Sequence, residues 1–190
     1  MRLYSILFFL TVSVITSFGQ APGIVIQTGL TTGYSKDFNI TKGKEMHYGW
    51  MVGADARLLE GDMYFIIGGQ YHKTSLNSTG SAEFFKNNDW TQLHGRCGLG
   101  FNIFRLSERI TFRSKLLGSI NFTLEAPKDA LNIPEYTTLN DSSLGAATGI
   151  GVTIGSLDID LEYQYGIINA YYMQPKSTFD IWTLMAGFHF

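Results

Sequence analysis

The sequence predicts an all-β chain: an eight-stranded antiparallel up-and-down barrel that crosses a membrane. Three observations carry that prediction. First, segments of period-two alternation recur along the chain. In "LDIDLEYQYGI" at 157–167, Leu157, Ile159, Leu161, Tyr163, Tyr165 and Ile167 alternate with Asp158, Asp160, Glu162 and Gln164. Second, the connections between such segments alternate between short and long. Third, charged residues make up only 16% of the chain, while glycines number 21 and aromatics reach 14%. A typical globular chain carries roughly 25% charged residues, so this composition fits a β-structure whose outer surface does not face water.

The chain opens "MRLYSILFFLTVSVITSFGQA". Arg2 supplies a basic start, Ile6 to Ile15 an apolar core, and Ser17 and Gly19 the small residues before a cleavage point at Gln20. That layout is a secretory signal peptide over 1–19, and its apolar run is shorter than the roughly 20 residues a membrane helix needs. Residues 20–190 then form a single outer-membrane barrel domain. The one cysteine, Cys97, cannot form an internal disulfide. A net charge of −2 leaves no footprint for nucleic acid.

Strands are expected at 24–34, 47–58, 63–73, 90–104, 109–122, 144–154, 157–168 and 178–190. The second and third are joined by "LEGD" (59–62), the fourth and fifth by "RLSE" (105–108), the sixth and seventh by "GS" (155–156). The other connections are long: 35–46, 74–89, 123–143 and 169–177. In an up-and-down barrel all short turns fall at one end and all long loops at the other, the asymmetry of outer-membrane barrels. Gly155 in the first central position of its turn suits a type II′ hairpin. Placing Ile154 opposite Leu157, Leu58 opposite Met63 and Ile103 opposite Ile110 keeps one continuous apolar face.

Which face is inside follows from the sixth strand. In "LGAATGIGVTIG" the set opposite the apolar one is Gly145, Ala147, Gly149, Gly151 and Thr153. A surface facing water has no need of small residues in series, whereas a narrow interior needs them to admit larger side chains from facing strands. The same inward face carries Asp55, Arg57, Arg96, Arg113, Lys115, Asp158, Asp160 and Glu162, four cations and four anions. Enclosed charges must be paired, so the balance is expected of an internal network. Aromatics flank the outward face, with Tyr48, Trp50 and Tyr71 toward the loops and Phe101, Phe112, Phe188 and Phe190 toward the turns. These are the two girdles of a barrel at its membrane interfaces.

The segments "GIVIQTGLTTGYS", "YGWMVGADARLLEGDMYFIIGGQYHKT" and "TLMAGFHF", behind a signal peptide, resemble the small outer-membrane β-barrel proteins of the PorT-like family. The architecture is similar to the eight-stranded OmpA and OmpX barrels. The resemblance spans the mature chain and rests on pattern. It implies a location in the bacterial outer membrane, with outer-membrane lipids and the barrel-assembly machinery as partners. Phe190, with Phe188 and Leu184 in phase, resembles the signal by which that machinery recognises barrels.

The expected function is non-enzymatic: an integral outer-membrane protein with a structural or surface-interaction role through its long loops, and with no cofactor. His47, His72 and His94 lie on neighbouring strands with inward parity, which makes them weak candidates for a divalent metal; the simpler expectation is polar rim residues. An outer-leaflet lipid-modifying enzyme is the first alternative, with "HKTS" (72–75) the only close pairing of histidine and hydroxyl. A soluble lipocalin-like carrier with its faces reversed is the second. The "GLGFN" glycines at 98–102 read as interior spacers rather than a phosphate loop. Exposed loop aromatics (Phe84 and Phe85, Tyr136, Tyr171 and Tyr172) are candidates for contact with a surface partner.

Overall fold

A computed structural model describes residues 23–35, 46–59, 61–75, 89–107, 109–125, 140–169 and 178–190. The signal-peptide reading and the loop aromatics lie outside them. Eight strands follow in order: β1 (Gly23–Ser35), β2 (Met46–Leu58), β3 (Met63–Ser75), β4 (Asp89–Ser107), β5 (Ile110–Glu125), β6 (Ser142–Ile154), β7 (Leu157–Gly166) and β8 (Phe179–His189). Each pairs antiparallel with its chain neighbour, and β8 closes onto β1. Closure leaves no unpaired edge, which hydrocarbon would penalise heavily.

The register sets the tilt. From Val25 the paired residues run through Asp55, Gly68, Arg96, Ser119, Gly145 and Gly166. Gly166 lies against Phe179, and Phe179 pairs with Ser35, ten residues along β1 from the start. A ten-residue stagger at roughly 3.3 Å per residue, against eight strands at roughly 4.8 Å spacing, tilts the strands by about 40°. At that tilt, strands of 10 to 19 residues cross a membrane.

The faces divide as the alternation requires. Leu116 and Ile150 are 61% and 62% exposed, whereas Asp158 is 0% and Glu162 4%. The acidic face of β7 points into the barrel. The apolar face forms the exterior, the arrangement a membrane demands and a soluble carrier would reverse. Ring pairs mark both rims of that exterior: Trp50 with Tyr71 and Tyr163 with Trp182 toward the loops, Phe104 with Phe112 and Phe188 with Phe190 toward the turns.

Two hairpin registers differ from expectation. Leu58 pairs with Phe65 rather than Met63, whose partner is Phe101. The wider turn takes a left-handed residue at Leu59 (φ 73°) and a glycine at Gly61 (φ 141°). A slip of two residues preserves the face, so the apolar exterior survives. Ile103 does not meet Ile110. Register shifts fall between Asn102 and Phe104 and again between Arg105 and Ser107, and Ile110 pairs with Ser107. Such bulges push Ile103 out of the ladder and keep Phe104 opposite Phe112 on the lipid side. Ile154 does face Leu157, and Gly155 takes a positive φ of 63° while Ser156 does not, as a type II′ turn requires.

Candidate functional site

The interior half toward the turns is filled by ion pairs. Arg57 Nη2 lies 2.6 Å from Asp158 Oδ2. Arg113 Nη2 is 3.1 Å from both Asp158 Oδ1 and Asp160 Oδ1. Lys115 Nζ is 3.7 Å from Asp160 and 2.9 Å from Glu162. Arg96 donates to Glu162 at 3.0 Å and reaches Asp55 through both Nε and Nη2. Cation and anion alternate along one chain from Arg57 to Asp55. All eight residues named from parity and charge balance are in it.

The glycines explain how these pairs form. Arg113 and Lys115 are on β5, and Asp160 and Glu162 on β7, so their side chains must meet over β6. A Cβ added at Gly151 would stand 2.8 Å from Asp160 Cγ, and one at Gly149 would stand 2.8 Å from Lys115 Cε. At either distance the ionic side chain has to move, so side chains there would push the ions apart. The same device recurs on the opposite wall. Asp55 (β2) meets Arg96 (β4) over β3, where a Cβ at Gly68 would overlap the Asp55 carboxylate. Gly100 similarly makes room for the Tyr64 ring, over which the Arg57 guanidinium sits at 5.5 Å.

Neutral hydrogen bonds complete the anions. Gln27 Nε2 donates to Asp55 Oδ2 at 3.0 Å, and Thr153 Oγ1 to Asp158 Oδ1 at 2.6 Å. Desolvating each ion costs several kcal/mol, which close partners on both sides offset. The ladder therefore specifies one arrangement of the interior more than it adds stability. It also occupies the channel axis, since pairs such as Arg96 with Glu162 and Arg57 with Asp158 join non-adjacent strands.

The half toward the loops is chemically different. His72 and His94 stack face to face, with centroids 4.0 Å apart and planes 14° off parallel. His72 Nε2 is 2.9 Å from Gln70 Oε1, and His94 Nε2 is 3.3 Å from Gln92 Oε1. His47 is elsewhere, 5.8 Å from the Phe179 ring centroid. The three histidines thus do not converge as the metal reading needed. Parallel stacked imidazoles direct their lone pairs side by side, and among the described residues no group of His, Cys, Asp and Glu is arranged to hold a metal. His72 and His94 are not rim residues either, since both are buried below the ends of β3 and β4, whereas His47, also buried, stands at the loop end of β2. Within "HKTS", His72 is bound to Gln70, and Ser75 Oγ has no hydrogen-bond partner, so this stretch forms no imidazole–hydroxyl pair.

On the loop side of His72 and His94 two aromatic rings meet in the interior. Trp90 and Phe179 meet edge to face at 5.2 Å, and both are buried. Sequence reasoning missed this pair because apolar residues of inward parity contradict the rule of polar inside and apolar outside. It also missed Asp180, which has outward parity yet is buried. Tyr163 donates to its carboxylate at 2.8 Å and the Gly166 amide at 3.2 Å, where the β7–β8 ladder has ended. Phe188 and Phe190 face outward at the turn end, and Phe190 exchanges backbone hydrogen bonds with Ile24.

Comparison with solved structures finds the same architecture. The chain is similar to Neisserial surface protein A, with 12% identity over 88% of this chain and 97% of that one and a TM-score of 0.58. It is similar to the outer membrane enzyme PagL, with 9% identity over 87% and 98% and a TM-score of 0.51. Identities this low show the fold alone. No protein-family model matches the sequence, and no curated protein does. The chain is a closed eight-stranded barrel of the small outer-membrane kind, and with its apolar exterior its place is the bacterial outer membrane.

Proposed function

We propose that the protein is a non-enzymatic integral outer-membrane protein whose barrel is a plugged scaffold. Its structural or surface-interaction role is carried by the long loops. One observation carries this reading: eight interlocked charges span the interior between non-adjacent strands, leaving the wall no pore to offer. With the interior filled and the exterior committed to lipid, the loop end is what remains for a partner. In this reading residues 1–19 are removed on export, and Phe188 and Phe190 present the barrel to the assembly machinery, as the PorT-like resemblance implies.

The alternative, an outer-leaflet lipid-modifying enzyme, shares this fold with PagL. It needs a nucleophile next to a base, and "HKTS" does not supply one. Single-channel recording of the purified monomer in planar bilayers tests the plugged scaffold. The expected result is no stable conductance; a large, long-lived conductance would overturn it.

A further inference from the structure

The four long loops leave the barrel from eight strand ends, and contacts at seven of those ends form one connected set. Phe179, the first residue of β8, is the hub. Its ring lies 5.8 Å from His47, at the start of β2, and 5.2 Å from Trp90, at the start of β4. It also covers Gly33, near the end of β1, where any side chain would overlap the ring. Phe179 follows the loop at 170–177, His47 and Gly33 flank the loop at 36–45, and Trp90 follows the loop at 76–88.

Hydrogen bonds extend the set to the remaining loop. Trp90 Nε1 donates to Thr123 Oγ1 at 3.2 Å, and Thr123 Oγ1 donates to the Asn140 carbonyl at 2.9 Å. Thr123 and Asn140 flank the loop at 126–139 on its two sides. Asn140 Nδ2 then donates to the Asn169 carbonyl at 2.7 Å, just before the loop at 170–177. The path runs from the first loop through Phe179 to Trp90, across Thr123 and Asn140, and back to the fourth loop.

We propose that Phe179, Trp90, His47, Thr123 and Asn140 form a single buttress that couples the strand ends flanking all four long connections, so that these ends open and close together. The physical basis is a contiguous chain of buried ring contacts and hydrogen bonds that links strand ends the ladders alone do not join, such as β8 to β4 and β5. A change at one strand end is thereby passed to the others. The inference does not depend on what the loops bind, nor on whether the protein is an enzyme.

Hydrogen–deuterium exchange on the refolded full-length mature protein in lipid nanodiscs tests it, because ladder ends report local opening. Phe179→Ala changes β8, yet it is expected to raise exchange severalfold at Trp90–Thr91 and Thr123–Leu124, on strands not adjacent to β8. Trp90→Phe keeps a ring and removes the N–H; it should loosen Thr123 while leaving Phe179 and its β1 partner Ser35 unchanged. Trp182→Ala, two positions before Leu184 on the lipid side of β8, should leave the far wall unchanged. Phe179→Leu serves if the alanine variant fails to insert. A rise confined to β8 and β1, or an equal rise with Trp182→Ala, would overturn the coupling.

Discussion

The two halves of the interior solve the same packing problem with different chemistry. Toward the turns, long charged side chains meet over glycines, and every anion has at least two partners. Toward the loops, two imidazoles stack and bond to amides beneath a pair of aromatic rings, and His47, His72 and His94 each keep a buried Nδ1 without a hydrogen-bond partner. The first half is a fixed arrangement in which no member can leave without stranding a charge. The second is held by dispersion and single hydrogen bonds, and it sits where the loops are rooted. Ion pairing is thus placed away from the loop end, and ring and amide contacts next to it.

The sharpest way to break that contrast is to delete a charge. Asp160→Ala leaves Arg113 with Asp158 alone and Lys115 with Glu162 alone in an enclosed site. It should lower unfolding stability by about 3–5 kcal/mol, the range for breaking a buried pair, read from urea unfolding in lipid vesicles. An effect below about 1 kcal/mol would mean a solvated surface pair.

Next in size is the adjacent residue on the opposite face. Leu161→Arg puts a cation against lipid and should cost about 2–4 kcal/mol near mid-membrane, by the same unfolding measurement. If both substitutions are tolerated, the inward and outward faces have been exchanged and the chain is a soluble barrel.

The smallest effect is expected in the other half. His94→Gln removes one ring from the stack and leaves all eight ion-pair residues in place, for a loss of about 0.5–1.5 kcal/mol, typical of one aromatic contact. A loss as large as that of Asp160→Ala would erase the distinction between the halves.

How far the sequence could be read follows the same division. The strands, the inward face and the identities of the eight charged residues were legible because alternation fixes parity and enclosure demands balance. Which cation meets which anion was not. That depends on the ten-residue stagger and on glycines of a middle strand letting its two neighbours touch, as Gly149 and Gly151 do for β5 and β7. Parity also turned His72 and His94 inward correctly, but their depth was misjudged because β3 runs on to Ser75 and β4 begins at Asp89, placing both rings well below the strand ends. Trp90, Phe179 and Asp180 escaped because each violates the face rule: two apolar rings turned inward and one acid turned outward. Leu58 and Ile103 were mispaired because a left-handed Leu59 and two bulges leave no mark in the alternation.

The central claim is that charges from non-adjacent strands pair across a closed interior. A double-mutant cycle on Arg96 and Glu162, one on β4 and the other on β7, tests it most directly. Arg96→Met, Glu162→Leu and the double variant would be compared by urea unfolding in lipid vesicles. Enclosed pairing predicts that either single change costs far more than its share of the double change, with a coupling energy of about 1.5–3 kcal/mol, the upper part of the range for residues within one network. Additive losses, with coupling below about 0.5 kcal/mol, would show that the two side chains do not meet inside the barrel and would contradict the account.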